Sequence, residues 1–257
     1  MTGARLFRLQ FRTDLVRFWR NPQSRYFTLL LPIVFLVIFA SIFKGTTIAN
    51  GKQIGITTFY VPAIMTLGII SASYVNLTMA VVTQRETGEL KRMRGTPLPA
   101  SFVITSRAAV GVVVAIVMSV LLLALGKLAY DVRIPHSTIL GLTLAVVIGA
   151  AAFACIAFAV STRIRSADAA APATNLTVLP LYFISGVFVP EQQIPRFLHA
   201  IAAVFPIYHL SQALLRTFTE THGAGISVTD LLIIAAWGIG ALLVAARTFQ
   251  WSPRTGE

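Results

Sequence analysis

One cysteine, four histidines and nine carboxylates in 257 residues leave little from which to build chemistry. The single Cys155 lies in the apolar run from Ala150 to Val160. It excludes an intramolecular disulfide and a cysteine-based metal cluster, and reads as a small buried apolar residue. A phosphate-binding loop is missing too: the nearest approach, Gly45 to Gly51-Lys52-Gln53, has five intervening residues and no hydroxyl, and reads as a turn. His136, His199, His209 and His222 show no metal-ligand spacing, and an interfacial structural role fits them better than zinc. No Ser-His-Asp arrangement can be nominated. Asn76-Leu77-Thr78 and Asn175-Leu176-Thr177 match a glycosylation sequon but fall within apolar spans, where the match is noise.

Charge itself is scarce. Only 12% of the residues are charged while 56% are hydrophobic, against about 25% charged in an ordinary soluble domain. Mean hydropathy is +0.78, and the charges fall in short clusters between apolar runs of about 20 residues, the length a bilayer imposes. This is an all-α membrane protein. The formal net charge of +12 does not call for nucleic acid, because basic residues of membrane proteins gather on the cytoplasmic side against anionic headgroups.

The first 25 residues carry six arginines. On a helical wheel Phe7, Phe11, Leu15 and Phe18 project to one side and Arg5, Arg8 and Arg12 to another, which predicts a basic amphipathic helix lying in the headgroup plane. Leu6 and Leu9 fall off that apolar face, and Asn21-Pro22 breaks the pattern. A signal peptide is disfavoured: the basic region is long and aromatic, and no small-residue cleavage site follows the apolar run before Lys44. Six spans then follow, at about 26–43, 56–83, 100–128, 138–161, 169–189 and 231–246. A short polar loop with Lys44, Asn50, Gly51 and Lys52 separates the first two. With the N-terminus inside, fifteen of the 21 Lys and Arg residues lie on inner segments and six on outer ones, so the positive-inside rule gives N-in and, with six spans, C-in. The stretch from Pro190 to Arg216 is broken by Pro190, Pro195 and Pro206. Its freed backbone groups would find no partner in hydrocarbon, so it reads as an outer re-entrant helical hairpin.

Two segments stand above this background. The first, Gln84 to Pro99, is dense in charge and reads as a short amphipathic helix with a glycine near each end, closed by Pro97 and Pro99. As a docking element it would insert Leu90 and Met93 into a partner's groove, with Glu86, Glu89, Lys91 and Arg92 as the polar rim; as an ordinary solvated loop it would do nothing of the kind. The second is Phe183-Ile184-Ser185-Gly186-Val187-Phe188-Val189-Pro190, followed by Gln193-Ile194-Pro195, Phe205-Pro206-Ile207-Tyr208 and Leu214-Leu215-Arg216.

Together these segments resemble the permease subunit of type-2 ATP-binding-cassette exporters. An Arg-Glu-Thr-Gly-Glu helix ending in Thr-Pro-Leu-Pro follows the second span, and a Ser-Gly-Val-Phe-Val-Pro hairpin ending in Pro-Ile-Tyr follows the fifth. The resemblance implies two domains, a connecting helix over 1–25 and the transmembrane domain over 26–257, placed multi-pass in a bacterial inner membrane. It implies a second permease, identical or paralogous, and a separate ATP-binding-cassette ATPase that holds ATP and Mg, with no cofactor and no catalytic residue on this chain. Gln84, Arg85, Glu86, Gly88, Glu89, Leu90, Lys91 and Arg92 would form the coupling helix. Ser185, Gly186, Pro190, Pro195 and Pro206 would shape the re-entrant hairpin. The second and fifth spans would line the translocation path with Tyr74, Asn76, Thr174, Asn175 and Tyr182. Asn76 and Asn175 lead as path candidates because polar groups in hydrocarbon face protein or a cavity, although interhelical hydrogen bonds that only hold the bundle explain them equally well. The spans carry no charge near their middles, which disfavours ion coupling and suits an apolar or amphipathic substrate such as a drug or lipid. A secondary transporter would show intramembrane carboxylates or broken helices in both halves, and a membrane-embedded enzyme a convergent polar set. A non-transporting membrane scaffold is the remaining alternative.

Overall fold

Apolar runs of this length satisfy their backbone within a membrane only as helices. The computed structural model describes residues 3–43, 45–49, 51–95, 100–220 and 223–248, and these are helical apart from one two-stranded hairpin and the turns between elements. Helix α1 (Gly3–Arg20) and the single turn α2 (Pro22–Arg25) lead through a π-helical turn, Tyr26–Leu30, into α3 (Leu31–Ile42). The expected polar loop is instead an antiparallel hairpin of β1 (Thr46–Ala49) and β2 (Lys52–Gly55), registered with Thr46 opposite Gly55 and Ala49 opposite Lys52. Gly51 takes φ 72° at its turn, a conformation open to glycine at no steric cost, and Thr46, Thr47 and Ile48 are good strand formers.

The second apolar run is one bent rod: α4 (Ile56–Ile70), a π-helical turn over Ser71–Val75, and α5 (Asn76–Glu86). Then come α6 (Glu89–Arg94), α7 (Ala100–Tyr130), α8 (Ile139–Ser161) and α9 (Ala167–Ile184). After a 3₁₀ turn at Glu191–Gln193 follow α10 (Arg196–Ala202), α11 (Pro206–Thr219) and α12 (Val228–Thr248). All six predicted segments are therefore helical. Among the described residues four helices, Ile56–Glu86, Phe102–Tyr130, Ile139–Ser161 and Val228–Thr248, are long and apolar enough to cross a membrane; α10 and α11 are so only as a pair bent by 97°, the geometry of a broken span or of a re-entrant loop. Tyr26–Ile42 is apolar but shorter. Helix α9 stops at Ile184, short of the predicted Val189, because Gly186 turns the chain with φ 74°. It also carries Asp168, Pro172, Asn175 and Pro180, which make it the least apolar of the six.

The core sits around the 56–86 rod and α8. From Phe59 to Ile70 every residue of the rod is buried, and α8 packs against α7, α11 and α12. Small residues let the backbones approach, as they do where lipid gives no hydrophobic push between helices. A Cβ on Gly238 of α12 would stand 2.9 Å from Ala152 of α8, and one on Gly149 would stand 2.7 Å from Leu210 of α11. Helix α7 has 31 residues and is about 46 Å long, well beyond a hydrocarbon core of about 30 Å. Helix α1 lies along its N-terminal part. Phe7 meets the edge of Phe102, with centroids 6.1 Å apart, and Phe11, Leu15 and Phe18 close over Ala72, Val110 and Val114. The aromatic face of α1 is thus occupied by protein rather than by lipid.

Candidate functional site

The charged segment after the second span is two helices joined by a corner. Helix α5 continues through Gln84, Arg85 and Glu86 until the Thr87 amide closes on Thr83 O at 2.9 Å. Gly88 then takes φ 71°, the left-handed conformation that ends many helices at glycine, and α6 sets off. The predicted continuous helix is thus corrected, since Gly88 breaks it at its centre.

The corner decides which side chains face where. Arg85, 3% exposed, donates from Nη1 to Ser161 O at 2.9 Å and from Nη2 to Ile164 O. Its planar fork, suited to two acceptors at once, thus ties α5 to the carbonyl end of α8, where a cation is also favoured by the helix dipole. One residue on, Glu86 accepts a hydrogen bond at Oε2 from the amide of Ala167. Ser166 Oγ accepts from the Ala169 amide at 3.3 Å, so the N-terminus of α9 is held by its own cap and by a carboxylate from α5. Glu89, first residue of α6, pairs with Arg17 of α1. Three consecutive contacts therefore join this segment to α8, α9 and α1. Leu90 is completely buried within the chain and Met93 packs against the same core. The expectation that Leu90 and Met93 insert into a partner is corrected, because the corner at Gly88 turns them inward. Glu86, Thr87, Lys91 and Arg92 are exposed, and Gln84 is buried. The Thr96-Pro97-Leu98-Pro99 motif lies outside the described residues.

Beneath α1 lies a polar cluster absent from the sequence reading. Asp14 is 7% exposed and accepts from Gln10 Nε2 at 3.0 and 3.1 Å and from Ser106 Oγ of α7 at 2.6 Å. Arg107 is buried beside it, with Asp14 and Glu89 as the carboxylates within electrostatic reach. Asp14 is the only carboxylate before Glu86 in the sequence. That isolation, in a helix otherwise studded with arginine, was the available signal.

The path candidates are only partly gathered. Tyr74, in the π-helical turn, hydrogen-bonds Thr177 of α9 across 2.8 Å. Tyr182 is buried on the same helix, and Thr174 is buried with its hydroxyl bonded to the Ala170 carbonyl at 2.9 Å. Tyr74 and Thr177 thus join the second and fifth segments. The two asparagines have different fates: Asn76 accepts at Oδ1 from Ser24 Oγ at 3.0 Å, while Asn175 is exposed. Ser24, which lies before the first span, and Thr177, within the fifth, carried no signal in the sequence because lone hydroxyl residues are common in both settings.

The hairpin predicted over Pro190–Arg216 is held by side chains rather than by its prolines alone. Ser185, Gly186 and Pro190 are buried where the chain leaves α9, Pro195 precedes α10, and Pro206 opens α11. Glu191 collects His199, Tyr208 at 3.2 Å and Gln212 at 3.0 Å. His209 is 6% exposed; its Nδ1 lies 2.7 Å from Asp230 Oδ1 of α12 and its Nε2 lies 2.8 Å from Ala203 O. Ser227 Oγ donates to the other oxygen of Asp230. Ser227 and His209 thus share one carboxylate without touching each other, so this imidazole does not activate that hydroxyl. His209 is a clasp between α11 and α12, and His222 lies outside the described residues. At the far end of α7 a hydrogen bond from Lys127, reinforced by its charge, holds the Asp131 carboxyl below its usual range. Among the described residues no group of three or more His, Cys, Asp or Glu side chains gathers to hold a metal ion.

A protein-family model described as ABC-2 type transporter matches residues 5–219, from α1 through α11. No curated protein matches the chain.

Proposed function

The chain belongs to the ABC-2 type transporter family, and from that premise we propose that it is the permease subunit of an ATP-driven exporter, with six spans and both ends in the cytoplasm. Two permeases, identical or paralogous, would pair, and each would dock on a separate ATPase that binds ATP and Mg. The exposed Thr87, Lys91 and Arg92 would meet that ATPase, while Glu86 holds the start of α9. Alternating access would then follow from rigid-body movement of the spans, with a drug-like or lipid-like substrate passing between the second and fifth segments near Tyr74, Thr177 and Tyr182. The bacterial inner membrane is the location that suits this assembly.

The observation that carries the reading is the triple attachment of the segment after the second span. Arg85 holds the end of α8, Glu86 the start of α9, and Glu89 holds α1 through Arg17. A push on α6 from below therefore reaches three membrane elements at once. A solvated loop needs no such bonds.

The test is co-purification with the ATPase encoded beside this chain, followed by ATP turnover in vesicles with and without amphipathic cations. Charge reversal of Lys91 and Arg92 should weaken the complex. Glu86→Ala should leave the complex and basal turnover intact but abolish stimulation by substrate, since it loosens α9 rather than the docking surface. If no complex forms, or if Glu86→Ala matches the wild type in both assays, the reading fails.

A further inference from the structure

Both ring nitrogens of His209 meet groups that only accept hydrogen bonds. Nδ1 lies 2.7 Å from Asp230 Oδ1 of α12 and Nε2 lies 2.8 Å from Ala203 O, with the residue 6% exposed. A neutral imidazole carries one N–H and donates to only one of the two. Turning the ring over would set carbons against both acceptors. The arrangement therefore holds one proton more than a neutral imidazole beside a carboxylate. That proton belongs on the ring, because a carboxylic acid is the stronger acid of the two. Ser227 Oγ also donates to the other oxygen of Asp230, and Asp230 stands in the first turn of α12, where the helix dipole favours a carboxylate. His209 is thus an imidazolium paired with Asp230.

The Nε2 bond of that ring fastens a corner. Helices α10 and α11 are bent by 97° across residues 203–205. There Ala203 O accepts from His209, Val204 O accepts from Trp237 Nε1 of α12 at 3.0 Å, and the Phe205 ring stacks on Trp237 with centroids 6.3 Å apart. Few charges reach the place. On α11 the edge of Tyr208 meets His209 with centroids 5.3 Å apart, and the Tyr208 hydroxyl is bound to His199 of α10 and Glu191 of the 3₁₀ turn. The opposite end of α11 carries Arg216, paired with Glu220, and Lys52 on Thr219 O. Helices α4, α8 and α9 also pack on α11; their titratable side chains are Tyr60, Cys155, Asp168 and Tyr182, and the hydrogen bonds of His209 go to none of these.

We propose that His209 is a proton switch for this corner: as an imidazolium it ties the corner to α11 and α12, and on losing a proton it lets the corner go. The proton that leaves is the one on Nε2, since Nδ1–H keeps the stronger, charge-assisted bond to the carboxylate. A lone pair then faces the Ala203 carbonyl, and the corner lifts away, breaking the bond between Val204 and Trp237. The corner is held at low pH and freed as pH rises through the range in which imidazoles exchange their protons. The switch needs nothing from an ATPase, so it stands apart from the exporter reading.

The experiment uses the purified full chain in detergent, with Trp19→Phe and Trp251→Phe leaving Trp237 as the sole tryptophan. Its emission and its quenching by acrylamide are followed from about pH 5 to about pH 9. The expected result is one transition, in which emission shifts to the red and quenching increases as pH rises. His209→Gln should abolish it, Asp230→Asn should move it to lower pH by removing the carboxylate that favours the charged ring, and His199→Gln should leave it in place. No transition in this range, a transition that survives His209→Gln, one that Asp230→Asn leaves unmoved, one that His199→Gln abolishes, or a corner that opens on acidification would each overturn the proposal. Should His209→Gln fail to fold, nitrogen NMR of the chain labelled at histidine decides, with the signals assigned by replacing the other three histidines singly. Both ring nitrogens of His209 should be protonated at the low end of the range, and Nε2 should lose its proton in step with the Trp237 change. An unprotonated Nε2 at the low end refutes the switch.

Discussion

Replacing Arg85 tests whether it is a fastener inside the chain or a contact for a partner. Its guanidinium is buried and donates to two carbonyls, at Ser161 and Ile164, where α8 ends. Losing one such charge-assisted bond and leaving its acceptor unpaired costs about 1.5–3 kcal/mol. The pair would sum to about 3–6 kcal/mol, and water entering at the helix end lowers the expected loss for Arg85→Ala to about 3–4 kcal/mol. Arg85→Met fills most of the volume and separates packing from polarity; it should still lose about 2–3 kcal/mol, because the carbonyls stay unpaired. Arg85→Lys keeps the charge at the negative end of the helix but cannot present a rigid fork, so it should fall between wild type and Met. The assay is equilibrium unfolding of the purified full chain in detergent, paired with limited proteolysis over residues 162–166. Proteolysis should quicken in Arg85→Met without a matching change near the β1–β2 hairpin. Arg85→Met within about 0.5 kcal/mol of wild type would refute this account, since that lies below the value of even one retained bond.

Three further outcomes follow from the packing. Gly238→Ala should lose about 1–3 kcal/mol, because its new Cβ would stand 2.9 Å from Ala152; Gly240→Ala, with nothing within 4 Å, should be neutral or slightly stabilising, and equal unfolding of the two would contradict the close α8–α12 approach. His209→Gln and Asp230→Asn should each destabilise the α11–α12 clasp, with a double-mutant coupling of at least about 1 kcal/mol, and additive effects would show that the contact contributes nothing. In a Cys155→Ala background, Gln53→Cys and Lys91→Cys, both exposed positions, should react with impermeant thiol reagents from opposite sides of the membrane, Lys91→Cys from the cytoplasm; labelling from one side would remove the N-in arrangement.

The spans were legible because hydropathy is additive along the chain, so the runs at 56–83, 100–128 and 138–161 stand out whatever packs on them. The β1–β2 hairpin was not legible, since two strands of four residues give too few alternations to separate from a polar turn. The short helical register of Gln84–Arg94 was visible, but the inward turn of Leu90 was not. It depends on the left-handed Gly88, and a glycine in a charged segment reads equally well as a helix end or as a flexible spacer. The partners of Glu86, Glu89 and Arg85 lie 81, 72 and 76 to 79 residues away along the chain. Local pattern carries no information on such pairings. The same limit explains why Phe7, Phe11, Leu15 and Phe18 were correctly placed on one face yet assigned to the wrong surroundings: a wheel shows that a face is apolar, not whether lipid or α7 covers it.

The scarcity of charge then has a structural consequence. In lipid, apolar contact hardly distinguishes one helix neighbour from another, because the surrounding chains are as apolar as leucine. Register must come from close approach of small residues and from a few polar fasteners. Asp131 and Glu220 bond within a turn of their own helices' ends, to Lys127 and Arg216. Asp14, Glu86, Glu89 and Asp230 each reach another element: α7, α9, α1 and α11 respectively. Two of those four, with Arg85 tying the same segment to α8, sit within the six residues from Arg85 to Leu90, so bonds to three other elements converge on one corner. Any displacement of that corner must either break the two buried Arg85 bonds and the more exposed Glu86 and Glu89 contacts together or carry α1, α8 and α9 along with it. Breaking Arg85 alone costs about 3–4 kcal/mol on the reasoning above, and tilting packed helices through small angles breaks none. The lower-energy response is therefore concerted movement, which is the property a transmitting element requires.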